Sequence, residues 1–243
     1  MKKNRYIDFL AKLAVDSAHP GGKTLTEAII RDLSIQAHDQ VLDVGCGTGA
    51  TAALVSEETG AVVTGMDIHP KMVERAEARA VVSENPFRVI TGSAECLPFA
   101  DNRFDWIISE SVTAFTDIHQ SVPEYFRVLR PGKKLIAIEM TIEKSLPEQD
   151  GLVIKKLYGV PELYTEEDWQ CIWNDAGFIC IESLKDSDFI LDQSQNELPS
   201  YQLSGELDEE AFEVWLDHMQ MLQTYKDVLS YRIYRMEKPS TSE

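Results

Sequence analysis

The sequence predicts an α/β protein built on a doubly wound, mostly parallel sheet with helices on both faces. Three observations carry this. Apolar runs of strand length alternate with helical patterns between residues 41 and 140. Those runs are apolar throughout rather than at every second position, as in strands buried on both sides. A glycine-rich loop, "GCGTG" at 45–49, joins the first run to the helix after it, a junction at which open α/β sheets hold ligands. The 243 residues, 44% of them hydrophobic, suffice for one domain with additions and a sizeable core.

Ile7, Leu10, Ala11 and Ala14 recur at helical spacing, so residues 3–17 read as a first helix. "HPGG" at 19–22 breaks it, and Thr24 is placed to cap a second helix running to Leu33. Strands are expected at 41–44, 61–67, 87–91, 104–109 and 134–140, with helices starting at Gly49 and spanning 70–82 and 118–129. Past Thr141 the rhythm changes. Residues 164–178 open on a capping Thr165 with acids in the first turn and stop at Gly177, which predicts a helix feeding a strand at 178–183. A polar stretch at 184–205 precedes a long helix, 207–229, with Phe212, Trp215, Leu216, Met219 and Leu222 on one face, and then a last strand at 231–238. The domain, 1–243, thus divides into an N-terminal helical cap (1–37), a core (38–140) and an insertion (185–229) before the last strand. That insertion is either an elaborated edge or a cover for the ligand cleft, and its apolar stripe leaves monomer and homodimer both open.

The chain carries 23 Lys and Arg against 41 Asp and Glu, a net charge of −18. Such a field repels a phosphate backbone, so neither nucleic acid nor an anionic membrane is an expected partner. The local basic run of Arg127, Arg130, Lys133 and Lys134 reads as structural, a helix end and a turn. Cys46, Cys96, Cys171 and Cys180 lack C-x-x-C spacing and the five histidines are scattered. No metal site is predicted, and reduced thiols fit the cytoplasm. Asp8, Lys12 and Asp16 interrupt every apolar run near the N-terminus, so neither a signal peptide nor a span of roughly 20 apolar residues is expected there.

Gly45, Gly47 and Gly49 allow a ligand close to the backbone, and the N–H groups of the following helix favour an anionic group. A pyrophosphate and an amino-acid carboxylate suit them equally. With Ala50 the loop matches the G-x-G-x-x-G/A pattern of dinucleotide-binding folds, and Asp67 stands about 20 residues on. Asp43 tips the reading, because its charge opposes a phosphate but attracts an ammonium. Asp67 would accept from a ribose diol in either case. Capping of the next helix is the alternative for Asp67, and capping of the strand end that for Asp43. Gly92 to Glu95 would wall the cleft at the carboxyl ends of the strands.

Four segments, "VLDVGCGTG", "GMDIHPKMV", "GSAECLPFADNRFD" and "EYFRVLRPGKKLIAIE", resemble in order and spacing the motifs of class I S-adenosylmethionine-dependent methyltransferases. The likeness is closest to the small-molecule branch that includes the ubiquinone/menaquinone-type enzymes, and it covers residues 38–140. It implies a Rossmann-like seven-stranded sheet with an antiparallel last strand, and S-adenosyl-L-methionine as cofactor. By this resemblance Gly45, Cys46, Gly47, Thr48 and Gly49 contact the methionine part, with Asp43 near its ammonium and Cys46 a small filler rather than a nucleophile. Asp67 then binds the ribose and Ile68 lies against the adenine. Ser93, Ala94 and Glu95 occupy a segment that usually reads D-A-E. Ser93 is the departure, and its short hydroxyl shifts adenine contacts to the Ala94 N–H and Glu95. "HPGG" resembles a glycine pair, with Gly22, that closes over the cofactor and brings His19 to the substrate side.

The implied activity is transfer of the sulfonium methyl to a small-molecule acceptor by direct in-line displacement. The protein must hold a nucleophile in line and exclude water, and supply a base where the acceptor loses a proton. Glu110, His119 and His19 are the candidates, with Tyr164 approaching from the later segment; Glu110 also reads as a cofactor-side hydrogen bonder. Two other readings stand beside this one. A protein of the same fold can bind the cofactor without catalysis or act on a protein or RNA. A nicotinamide oxidoreductase is the third, opposed by "SAECLPF", by "RVLRPGKK" and by the lack of a Tyr-x-x-x-Lys pair placed for hydride chemistry.

Overall fold

The computed structural model describes residues 4–17, 19–191 and 208–240. Residue 3, most of the polar stretch at 184–205 and the end of the tail lie outside them. Seven strands, β1 (Gln40–Val44), β2 (Val62–Asp67), β3 (Arg88–Thr91), β4 (Phe104–Glu110), β5 (Leu129–Ile142), β6 (Ile179–Leu184) and β7 (Leu229–Glu237), form one sheet in the order β3-β2-β1-β4-β5-β7-β6. The first five pair in parallel, and β7 runs antiparallel between β5 and β6. The order reverses between β1 and β4, so a cleft opens beyond their carboxyl ends. Asp43, Asp67 and Glu110 stand at or next to the ends of β1, β2 and β4.

Helices α1 (Arg5–Leu13), α2 (Gly22–Asp32), α3 (Ala50–Thr59), α4 (Pro70–Val82), α5 (Ile118–Val128), α6 (Glu148–Tyr158), α7 (Glu166–Asp175) and α8 (Glu209–Thr224) cover both faces. On one face Leu42, Ile107, Leu135, Ala137 and Tyr234 pack under α1 and α5–α8. On the other, Val41, Val63, Ile108, Ile136 and Ile138 pack under α2–α4. The first face is anchored by Trp169 and Trp173, both fully buried and stacked with centroids 5.5 Å apart. The Trp169 indole N–H donates to the Met140 carbonyl at 3.0 Å. Trp169→Ala is therefore expected to cost about 3–5 kcal/mol of stability, read as a lower urea midpoint at unchanged slope.

Several elements differ from the sequence reading. Thr24 does not cap α2: Gly21, in the left-handed region at φ 83, precedes the helix, and Thr24 lies inside it. Helix α6 is absent from the reading; of its apolar residues only Ile154 and Tyr158 are buried, while Leu152 and Val153 are exposed, so they do not mark one face. Strand β5 starts at Leu129 rather than 134, since Arg130 and Lys133 of the basic run pair with Asp105 across a bulge and extend the ladder. The two helices of the N-terminal segment part company, α1 packing beside α6 and α8 and α2 beside α3. Helix α8 is shorter than 207–229 and turned. Ala211, Val214 and Met221 face inward, while Phe212, Leu216, Met219 and Leu222 are 44–51% exposed. The helix carries two apolar stripes, and the one with smaller side chains allows α1 to approach. No helix among the described residues is long and apolar enough to cross a membrane.

Candidate cofactor and active site

The glycine loop is a tight turn: Cys46 N–H donates to the Met66 carbonyl at 3.0 Å and Gly49 N–H to the Cys46 carbonyl at 2.8 Å. All three glycines lie in the left-handed region, at φ 66, 53 and 80. A Cβ on Gly45 would stand 2.4 Å from Cγ2 of Val112, which closes one side of the loop. A Cβ on Gly47 would meet nothing within 4 Å, so its other side is open. Gly49 precedes α3 and offers no side-chain cap, which leaves first-turn N–H groups for a ligand or for Asp43. Cys46 is buried with its sulfur against Gly65, and burial pushes its thiol well up, as expected of a filler.

Three carboxylates converge on this loop. Asp43 is 2% exposed and accepts from the Ala52 N–H, while its Oδ2 has no partner among the described residues. Burial, then the charges of Glu110 and Asp67, hold its pKa well above the usual carboxylate range. Asp67 ties the loop to the end of β2, with Oδ2 accepting from Gly47 N–H at 2.9 Å and Oδ1 from His69 N–H at 2.7 Å. Burial raises its pKa against the pull of those bonds. Each oxygen keeps a second lone pair for a ligand. Glu110 accepts from the Thr26 hydroxyl at 2.7 Å and the Thr51 hydroxyl at 2.5 Å. His19 joins it, with Nε2 2.9 Å from the Thr26 hydroxyl and 3.5 Å from Glu110 Oε1, and Nδ1 donating to the Pro20 carbonyl at 2.9 Å. The glycine pair Gly21–Gly22 makes the turn that folds His19 back onto α2.

The remaining expected residues are spread around the cleft. Thr48 donates its hydroxyl to Asp16, which also pairs with Arg79 at 2.7 Å, so the segment after α1 lies on the glycine loop. Ile68 is 47% exposed beyond Asp67. Ser93 accepts from the Glu95 N–H at 3.2 Å within its own turn, Ala94 is buried, and Glu95 accepts from the Asp117 N–H at 2.8 Å. His119 is exposed in the first turn of α5, where its backbone N–H donates to Asp117 at 3.1 Å. Tyr164 packs on Trp169, ring centroids 4.8 Å apart. Against the expectation of no Tyr-x-x-x-Lys pair, Tyr234 and Lys238 have that spacing, but they lie along and just past β7, where Tyr234 is fully buried and Lys238 donates to main-chain carbonyls.

Sequence reasoning missed Asp16, Thr26 and Thr51, whose contacts span 32 to 84 residues and leave no local pattern. It also missed an aromatic group above β4 and β5. Tyr6 of α1 stacks on Phe115 and meets the edge of Tyr158, whose hydroxyl lies 3.1 Å from Nδ1 of His218. Burial raises the Tyr158 pKa to about 12 and lowers that of His218. Among the described residues no group of His, Cys, Asp and Glu is arranged to hold a metal ion.

Residues 42–137 match the model of the methyltransferase domain family. An uncharacterized methyltransferase of Bacillus subtilis, YodH, is 29% identical over 233 residues, 95% of this chain and 98% of its own. Phosphoethanolamine N-methyltransferase 2 of Haemonchus contortus, solved with S-adenosyl-L-methionine, superposes with a TM-score of 0.75 at 19% identity and shares the fold. The domain match, the methyltransferase relatives and the fold together support a class I S-adenosylmethionine-dependent methyltransferase. The chain is also 29% identical over 223 residues to the 27-O-demethylrifamycin SV methyltransferase of Amycolatopsis mediterranei, covering 89% of this chain and 79% of that one. Of the Haemonchus protein it spans 57% of the length. These matches support a methyltransferase without specifying the ubiquinone/menaquinone-type branch. The family's cofactor, S-adenosyl-L-methionine, is the group this methyltransferase cleft must hold, and the residues present fit it. Asp43 offers an unpaired buried oxygen to an ammonium, and the open side of Gly47 with the start of α3 offers N–H groups to a carboxylate.

Proposed function

We propose that this methyltransferase moves the methyl group of S-adenosylmethionine to a small-molecule acceptor by direct in-line displacement. The observation that carries the reading is the buried Asp43 oxygen without a partner, beside Glu110 and Asp67. A pyrophosphate brought there would be repelled, whereas a ligand with an ammonium and a sulfonium would supply the missing charge. The bound cofactor supplies a methyl group already activated by its sulfonium. Asp43 attracts the ammonium end, Asp67 accepts from the ribose diol, Ile68 covers one face of the adenine, and the Ala94 N–H and Glu95 reach its edge. Glu110 spends both oxygens on Thr26 and Thr51, so it orders the floor of the site rather than taking a proton. His19 has both ring nitrogens engaged, by the Pro20 carbonyl and the Thr26 hydroxyl, which leaves the exposed His119 as the candidate base for an acceptor that loses a proton. The methyltransferases named for rifamycin and for phosphoethanolamine act, by name, on small acceptors, and the net charge of −18 opposes nucleic acid.

Isothermal titration with S-adenosylhomocysteine, with NAD in parallel, tests the reading. Micromolar binding of the former alone, lost in Asp67→Ala, is the expected result. Binding of NAD alone would overturn it. Transfer of labelled methyl to members of a small-acceptor panel then tests the acceptor class.

A further inference from the structure

Glu139 lies in β5, fully buried, and takes no part in the contacts described above. Its oxygens accept from two successive N–H groups, Thr113 to Oε1 at 3.1 Å and Ala114 to Oε2 at 3.2 Å. These open the 3-10 turn Thr113–Phe115 in the connection from β4 to α5. One N–H on each carboxylate oxygen makes a charge-assisted clamp. The connection it grips touches both sides of the cleft. Val112 lies over Gly45, and Phe115 stacks on Tyr6 of α1 with centroids 6.3 Å apart. Ser111, just before them, is held at φ 57, a strained conformation for a residue with a Cβ, and its N–H donates to the Ile138 carbonyl at 2.7 Å. Adjacent residues of β5 therefore anchor both halves of the connection.

We propose that Glu139 is a positioning residue whose ionised carboxylate sets the β4–α5 connection and, through Val112 and Phe115, the fit of the glycine loop and α1 around the cofactor. The proposal rests on the cofactor reading above. Protonation would turn one of the two acceptors into a donor facing an N–H and release half of the clamp. Burial pushes Glu139 up to about 7, against the pull of the Thr113 and Ala114 groups, so the clamp tightens as pH rises through the neutral range. Tyr125 from α5 and Tyr234 from β7 face it, both phenols raised by burial. Arg232, opposite Glu139 on β7, is engaged by Glu143 and Glu166 at 2.7 Å each. None of these three changes charge near neutrality.

Two readouts test the proposal on the full chain. In wild-type protein the amide shifts of Thr113 and Ala114 are expected to titrate together with a midpoint near 7, and Glu139→Gln is expected to abolish that titration. Affinity for S-adenosylhomocysteine should fall about tenfold in Glu139→Gln above about pH 8 and change little below about pH 6. Amides that do not titrate, or equal affinities of the two proteins at both pH values, would sink the proposal. A wild-type protein that binds no S-adenosylhomocysteine would instead overturn the cofactor reading, and the amide titration would still decide whether the clamp operates. Should Glu139→Gln fail to fold, the wild-type titration decides alone.

Discussion

Asp43→Asn is expected to weaken cofactor binding by about tenfold to a hundredfold while raising the melting temperature of the ligand-free protein. Both effects have one origin. The Asp43 carboxylate is buried beside two other acids, which raises its pKa in the folded chain above the unfolded value. Between those two values the native state binds more protons than the unfolded state. The contribution of Asp43 to stability is therefore greatest below the unfolded pKa and is lost as pH rises through the folded one. Once pH has risen past the unfolded value, burying this group is a cost that Asn removes. Cofactor affinity has the opposite slope, rising with pH as Asp43 ionises to meet the ammonium. Thermal melts and calorimetric titrations of both proteins across pH 5 to 9 measure the two slopes. An unchanged affinity, or a lower melting temperature in the variant, would count against the assignment of Asp43 to the ammonium.

Gly45→Ala is expected to abolish measurable binding of S-adenosylhomocysteine and to cost roughly 2–4 kcal/mol of stability, from the left-handed backbone and the overpacked contact together. The new methyl would stand 2.4 Å from Val112 Cγ2, and the φ of 66 is unfavourable to alanine whatever the space. The two penalties separate in a double-mutant cycle. Val112→Ala in the Gly45→Ala background should restore about 1 kcal/mol or more, as expected of residues in contact, and leave the backbone penalty. Urea unfolding of the four proteins gives the coupling. A coupling near zero would mean that Val112 does not close the loop in solution.

How far the site was legible follows from where its information lies. Strand and helix positions between 41 and 128 were readable to within two residues, because β1 and β4 are buried on both faces and each strand, the exposed edge strand β3 included, lies between clear helix and turn signals. The turn at Gly45 and Gly47 was likewise readable, since a left-handed turn after a strand needs glycine. The outward turn of Phe212 and Leu216 was not, because α8 carries two stripes of similar hydrophobicity and only the approach of α1 selects between them. Thr26 and Thr51 look like ordinary helix residues until Glu110 is brought to them. His19 follows the same rule: the "HPGG" turn was visible, but its partner stands 91 positions later in the chain.

By itself, the sequence determined the α/β architecture, the glycine loop at its switch point and the methyltransferase motifs of residues 38–140. Each of these rests on patterns repeated within a few residues, where backbone geometry dictates residue type directly. Only the tertiary structure decided which carboxylate keeps an unpaired oxygen, that Asp16 and Val112 lie on the loop, and that Glu139 grips the connection beside it. Those depend on distances between remote segments and on burial, which no local pattern encodes.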